Sequence, residues 1–172
     1  MINIRRASRD EALYISLLGR VTFTETFGHL FGDNLNLLDY LDQTFSVEKI
    51  ENSLQKTDNM FWIAFADRLP VGYAKLKLNS TVEFLPTTNV CQLQKIYVLK
   101  DFLSMKIGHE LQSQLIKKAT ELKFEKVWLS VLANNERAIG FYQKSGFEEV
   151  GKHVFKIGKE RFDFIAMSKS IN

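Results

Sequence analysis

The sequence predicts an α/β (α+β) chain built on one mixed, mostly antiparallel sheet of about seven strands flanked by helices. Three observations lead there. Seven short runs are apolar throughout or alternate with the period of two that a strand imposes, and longer stretches between them repeat apolar residues every three or four positions, as helices do. Two pairs of neighbouring strand runs are joined by short turns, which favours antiparallel hairpins. At 172 residues the chain is sized for one domain with a sizeable core, and without a linker, repeat or low-complexity segment we read 1–172 as that domain.

The elements follow in order. Ile2 to Arg6 alternates as a short strand, and Ser8 with Asp10 and Glu11 marks a helix start. The helix, roughly Ser8 to Phe27, carries Leu13, Leu17 and Val21 on one face. A second helical stretch runs from Asn34 to about Thr44 with Leu37, Leu38 and Leu41, and Ser46 caps a third that continues to Gln55. Met60 to Ala66 is continuously apolar, and Asp67-Arg68-Leu69-Pro70 turns it into Val71 to Asn79, completing a hairpin. Ser80 to Asn89 lacks periodicity and reads as a loop before the strand Cys91 to Val98. Lys100 to Ile107 connects to a helix from Gly108 to Lys123, with Leu111, Leu115, Ala119 and Leu122 along it. Lys126 to Leu132 is a strand, a short helix begins near Asn135, and Glu149 to Ile157 with Arg161 to Ser168 closes the chain as a hairpin through Gly158-Lys159-Glu160.

Composition narrows the function classes. No window approaches the roughly 18 consecutive apolar residues of a membrane span, and the start Met1-Ile2-Asn3-Ile4-Arg5-Arg6 reads as a strand rather than a leader, so a cytoplasmic location is expected. The single cysteine, Cys91, allows no internal disulfide and reads as a buried small hydrophobe, and His29, His109 and His153 show no metal-ligand spacing, so no metal is expected. A net charge of +3 is too small to argue for nucleic acid. Its distribution is uneven: seven acids from Glu25 to Asp58 oppose two lysines, whereas fourteen Lys or Arg oppose nine acids from Lys95 onward. The basic half suits a polyanion, and the acidic half would attract a cationic partner unless it is simply a set of solvated helix faces.

One run concentrates chemistry. In Asn135-Glu136-Arg137-Ala138-Ile139-Gly140-Phe141-Tyr142-Gln143-Lys144-Ser145-Gly146-Phe147, positions 135, 138 and 142 lie three and then four residues apart, so an amide, a small residue and a phenol share one helical stripe. Gly146 suits the left-handed residue that ends a helix, and the helix starts at a strand end, where α/β proteins usually bind ligands. Taken separately, Asn135 reads as a cap, Tyr142 as a packing residue and Gly146 as a stop; their coincidence at this spacing argues for a site.

The pattern N-x-x-A-x-x-x-Y-x-x-x-G-F after a strand resembles the C-terminal motif of the GNAT acetyltransferase superfamily, and the element order β-α-α-β-β-β-α-β-α-β-β, with the stretches either side of Ser46 taken together, matches the GNAT fold over essentially the whole chain. The resemblance implies acetyl-CoA as co-substrate, with Asn135 on the pantetheine arm, Ala138 beside it, and Tyr142 next to the thioester sulfur as general acid. It implies that the backbone of Ile96, Tyr97 and Val98 pairs with pantetheine as an added strand, and that the amides from Met105 through Lys106, Ile107, Gly108 and His109 meet the pyrophosphate, with Lys144 a weaker phosphate contact. The family's loop Q/R-x-x-G-x-G/A reads Leu103-Ser104-Met105-Lys106-Ile107-Gly108 here, so Lys106 stands where a glycine is usual; a lysine suits the phosphates unless its φ must be positive.

The resemblance further implies a primary-amine acceptor. Thr22-Phe23-Thr24-Glu25-Thr26-Phe27, the acidic helices and the last hairpin are similar to bacterial spermidine/spermine acetyltransferases of the PaiA type, so a polyamine or other small cationic amine is expected, with Glu25, Phe27 and Gln94 in its site. A peptide or protein amine remains an alternative, as does a non-catalytic acetyl-CoA-binding module. Gln92 and Gln94 occupy the strand positions where some members carry a glutamate base, leaving Glu25, Glu83 and Tyr97 as indirect bases. The assembly is expected to be a monomer or homodimer.

Overall fold

A computed structural model describes all residues, Met1–Asn172. Strand β1 (Ile2–Arg6) is followed by helices α1 (Ala12–Phe27), α2 (Asn34–Phe45) and α3 (Val47–Gln55), then by β2 (Asn59–Ala66), β3 (Leu69–Lys77) and β4 (Val90–Val98). Helix α4 (Ile107–Glu121), β5 (Lys126–Leu132), α5 (Glu136–Lys144), β6 (Glu148–Ile157) and β7 (Glu160–Ser170) complete the chain. The strands form one sheet in the order β1-β2-β3-β4-β5-β7-β6, antiparallel except where β4 meets β5. No helix is long and apolar enough to cross a membrane.

Helix α4 covers one face of the sheet, where Leu111, Leu115 and Ala119 are fully buried against Ala74, Leu76, Cys91 and Leu93. Removing each of those leucines from water stabilises the fold by roughly 2 kcal/mol. Helices α1 to α3 cover the other face, where Ile15, Leu18 and Ile50 pack on Phe61, Ile63 and Tyr73. An aromatic cluster of Phe23, Phe31 and Phe45 extends this layer to Ile157 at the end of β6. Burial pushes the Cys91 thiol up to about 12, so it is an inert core residue.

Several boundaries and one face differ from expectation. Leu13 and Leu17 are 61% and 58% exposed and Val21 also faces solvent, because the stripe that meets the sheet is Ala12, Ile15 and Leu18, with Phe23 buried against the rings of α2. Helix α1 is apolar almost all round, so periodicity alone could not choose its inner face. Its contact with α2 depends on Gly19: a Cβ there would come within 2.3 Å of the fully buried Phe45 ring. Leu122 is exposed because α4 ends at Glu121 and Phe124 takes the inward position, and Leu38 is exposed while Leu37 and Leu41 are buried. The β2–β3 turn is tighter than expected: Asp67 takes φ +53° and Pro70 lies within β3, opposite Phe65 at a bulge.

Candidate active site

The parallel pairing of β4 with β5 lasts only from Val90–Gln92 against Lys126–Trp128, after which the strands part. From Leu93 to Val98 the β5-facing edge of β4 is therefore an unpaired row of backbone donors and acceptors. A cleft of about 1470 Å³ opens there, walled by β4, β5, α5, the start of α4, the α1–α3 layer and the β6–β7 hairpin. It joins two regions: one between the β4–β5 split, α4 and α5, the other beneath α1 to α3.

Helix α5 bounds the first region. Asn135 caps it, its Oδ1 accepting from the Ala138 amide at 3.1 Å, which leaves the side-chain NH₂ free to donate elsewhere. Gly146 at φ +85° ends the helix, with the Phe147 amide donating to the Tyr142 carbonyl at 3.0 Å. That reversal turns Phe147 into the core, where its ring lies 5.7 Å from the Tyr142 ring, while Phe141 lies 5.2 Å away on another side. Tyr142 is thus held by packing on the cleft wall, and burial pushes its phenol well above the ordinary value, so it stays protonated at physiological pH.

Lys106 enters α4 with φ +59° and ψ +13°, the left-handed conformation that a glycine would adopt without strain. Because a helix leaves its first amides without internal acceptors, those of Ile107, Gly108 and His109 are presented at this end. Lys106, Gly108 and His109 line the cleft, whereas Met105 and Ile107, whose amides were expected at the phosphates, do not line it. Met105 faces Ile2 and Ile4 across a separate groove, and Ile107 is fully buried under the sheet, since the first turn of α4 needs an apolar anchor.

The remaining expected residues, Ile96, Tyr97, Val98, Ala138, Lys144, Glu25, Phe27 and Gln94, also line the cleft, whereas Glu83 sits outside it, exposed in the loop before β4. Glu25 is tied down, its Oε2 accepting from the Lys100 amide at 3.1 Å. Tyr97 is a poor base, because burial first, and nearby Tyr40 and Tyr142 next, push its phenol far up. The expected acidic approach is not realised. Of the seven acids between Glu25 and Asp58 only Glu25 reaches the cleft; the others are solvent-exposed on α2, α3 and their flanks.

Among the cleft residues that sequence reasoning missed, four stand out. Arg137 stands beside Ala138 on α5, and His153 of β6 meets Ser130 Oγ at 3.2 Å between the rings of Phe84 and Phe164. Lys75 and Lys95, direct cross-strand partners, turn inward under α1 to α3. Lys75 carried a signal, since it is two residues from Tyr73 on the face that buries it. Lys95 carried none, because the extra residue Gln94 bulges β4 and switches the face on which Lys95 and Tyr97 lie relative to Leu93.

The profile of the Acetyltransferase (GNAT) family matches residues 25–147. The chain belongs to this family. It is an acetyl-CoA-dependent N-acetyltransferase, and the sheet with its β4–β5 split is the GNAT fold. An uncharacterised N-acetyltransferase of Lactobacillus delbrueckii subsp. lactis is 25% identical over 172 residues, covering 99% of this chain and 98% of its own. A spermidine N(1)-acetyltransferase of Thermoplasma acidophilum is 23% identical over 86% of this chain and 88% of its own. Among solved structures, the PaiA N-acetyltransferase of Thermoplasma acidophilum in complex with coenzyme A superposes with a TM-score of 0.76 at 22% identity, covering 99% of both chains. The ribosomal-protein-S18-alanine N-acetyltransferase of Escherichia coli gives 0.73 at 18% identity over 100% of this chain and 95% of that one. The cleft of this chain presents an unpaired strand edge, the free amides at the start of α4, and the cationic side chains Lys106, Arg137 and Lys144 along its wall.

Proposed function

We propose that the enzyme acetylates a primary amine by direct attack, with Tyr142 as general acid. The observation that carries this is a protonated phenol fixed by Phe141 and Phe147 on the wall of the β4–β5 split. Acetyl-CoA supplies the activated thioester. The backbone of Ile96, Tyr97 and Val98 orients its pantetheine arm, the amides at the start of α4 bind its pyrophosphate, and the Tyr142 hydroxyl gives a proton or hydrogen bond to the departing sulfur. Burial keeps the phenol protonated and so able to donate, and the same surroundings would disfavour a free thiolate.

An alkylamine with an ordinary value near 10.4 needs about 4–5 kcal/mol to become neutral at pH 7. Nearby Lys75, Lys95 and Lys49 favour the neutral form by repulsion, and His153 is placed on the wall to take up the proton. A polyamine is the acceptor named for the Thermoplasma relative, and the aromatic lining of Phe23, Phe27 and Tyr40 offers faces for ammonium groups. The lysines oppose a second and third ammonium, so we assign the acceptor to the class of primary amines, in a cytoplasmic enzyme. Thiol release from acetyl-CoA across spermidine, spermine, a peptide and an aminoglycoside tests the assignment; tight coenzyme A binding without turnover of any amine would instead identify a binding module.

Two variants separate binding from folding. Asn135→Asp keeps an oxygen for the Ala138 amide but loses the NH₂ donor, so thermal stability should hold while the Kd for coenzyme A rises about tenfold. Equal affinity for both proteins would reduce Asn135 to a cap. Lys106→Gly should relieve left-handed strain and raise stability by about 0.5–1 kcal/mol, after allowing for the greater freedom of glycine in the unfolded chain. The same change should weaken coenzyme A binding several-fold and flatten its salt dependence, which titrations at two ionic strengths would reveal.

A further inference from the structure

Under the α1–α3 layer, the β3–β4 bulge gathers four hydrogen-bond donors on one patch of sheet. Tyr73 pairs with Tyr97 and Lys75 with Lys95 in direct cross-strand register, and all four line the cleft. The lysines have aromatic neighbours but no carboxylate. The Lys75 ammonium lies 5.3 Å from the Phe61 ring centre, and the Lys95 ammonium 5.1 Å from that of Phe45 and 5.7 Å from that of Tyr97. Neither is among the ion pairs of the protein. The Tyr73 hydroxyl is fully buried and has no hydrogen-bond partner. Lys49 and Ser53 of α3 also line this region, and Glu25 is the only acid anywhere on the cleft wall.

Half-buried cations without acids, next to an orphaned hydroxyl, are costly to keep unless something anionic completes them. Burial first, and the mutual repulsion of Lys95, Lys77, Lys56 and Lys49 after it, pull Lys75 down to about 7; burial pulls Lys95 to about 8. Both shifts disfavour the charged form, and an anion placed beside the two ammoniums would offset them. The Tyr73 and Tyr97 phenols are pushed up and so remain donors. The patch is also connected to the reaction centre, because Tyr97 is close enough to feel a charge on Tyr142.

We propose that the acceptor is a primary amine that also bears an anionic group, a carboxylate or phosphate, and that Lys75 and Lys95 hold this group together with the hydroxyls of Tyr73 and Tyr97. This rests on the primary-amine reading above and sharpens it. The amine would then project toward the β4–β5 split while the acceptor body packs against the cleft aromatics. A polycation would meet the same lysines as repulsion.

The test is thiol release from acetyl-CoA with matched amines, phenylalanine against phenethylamine and O-phosphoethanolamine against ethanolamine, with spermidine alongside. The native enzyme should favour the anionic member of at least one pair by about tenfold to a hundredfold in kcat/KM, and Lys95→Met and Lys75→Met should each collapse that ratio toward one. Comparing ratios between native and variant proteins cancels the different basicity of the paired amines. Melting temperature and coenzyme A affinity report whether the variants fold. Preference for spermidine or for the members that lack the anionic group, or an anionic preference that survives in folded Lys75→Met and Lys95→Met proteins, would overturn the subsite while leaving amine acetylation intact. Absence of turnover with every amine despite coenzyme A binding would overturn the amine reading and this inference with it.

Discussion

Replacing Tyr142 by Phe should lower kcat about a hundredfold or more while leaving the Kd for coenzyme A within about twofold. The substitution deletes one hydroxyl and keeps the ring that packs against Phe141 and Phe147, so α5 and its Asn135 cap should be undisturbed. What disappears is the only phenol that α5 supplies to the cleft wall. The departing sulfur then leaves without a donor in a site sheltered from water, where developing charge is poorly solvated. Initial rates at saturating acetyl-CoA, set beside a binding titration, check this. An unchanged kcat would remove Tyr142 from the chemistry and leave it a packing residue.

The second large effect concerns stability. Lys75→Met and Lys95→Met should each raise the stability at pH 7, by about 1–3 kcal/mol after discounting for partial exposure, or several degrees in Tm. In the unfolded chain both ammoniums titrate near 10.5, whereas in the folded protein Lys75 titrates at about 7 and Lys95 at about 8. Below the folded values both states are protonated and the whole cost of burying the charge is felt. Between those values and 10.5 the cost shrinks as the folded side chain stays neutral, and above 10.5 it vanishes. The advantage of the methionine variants should therefore be full at pH 7 and mostly gone by pH 10. A gain independent of pH, or a loss of stability, would mean that the lysines are already compensated within the fold. Stabilised variants with a lost substrate preference would be the expected signature of charges retained for function at the expense of folding.

Much of the fold was legible because its cues are local. Ser46 as a cap, Gly146 and Gly158 at positive φ, the final hairpin and the α4 core positions Leu111, Leu115 and Ala119 all depend on neighbours a few residues away. The α5 stripe was legible for the same reason, since a helix converts spacing directly into a shared face. Features that compare one element with another were not. The inner face of α1 was misread through Leu13, Leu17 and Val21, because two apolar stripes compete on that helix and only contact with the sheet and Phe45 selects between them. The Met105 side chain lines a separate groove with Ile2 and Ile4, a neighbourhood that only the packing of β1 beside the turn into α4 creates.

By itself, then, the sequence determined the order of strands and helices, caps such as Ser46 and the final turn, and the Asn135–Ala138–Tyr142 stripe, because each is written in residues adjacent along the chain or one helical turn apart. Tertiary structure alone decided where β4 and β5 separate, that Lys106 must enter α4 left-handed, and that the cleft wall beneath α1–α3 is basic rather than acidic. The last follows from one bulged residue, Gln94, which reverses the alternation of β4 and turns Lys95 and Tyr97 toward α1–α3, while the acids of α2 and α3 face water. Side-chain direction in a strand has a period of two, so a single inserted residue reverses every face after it, and the register that reveals the insertion exists only when the partner strand is in place.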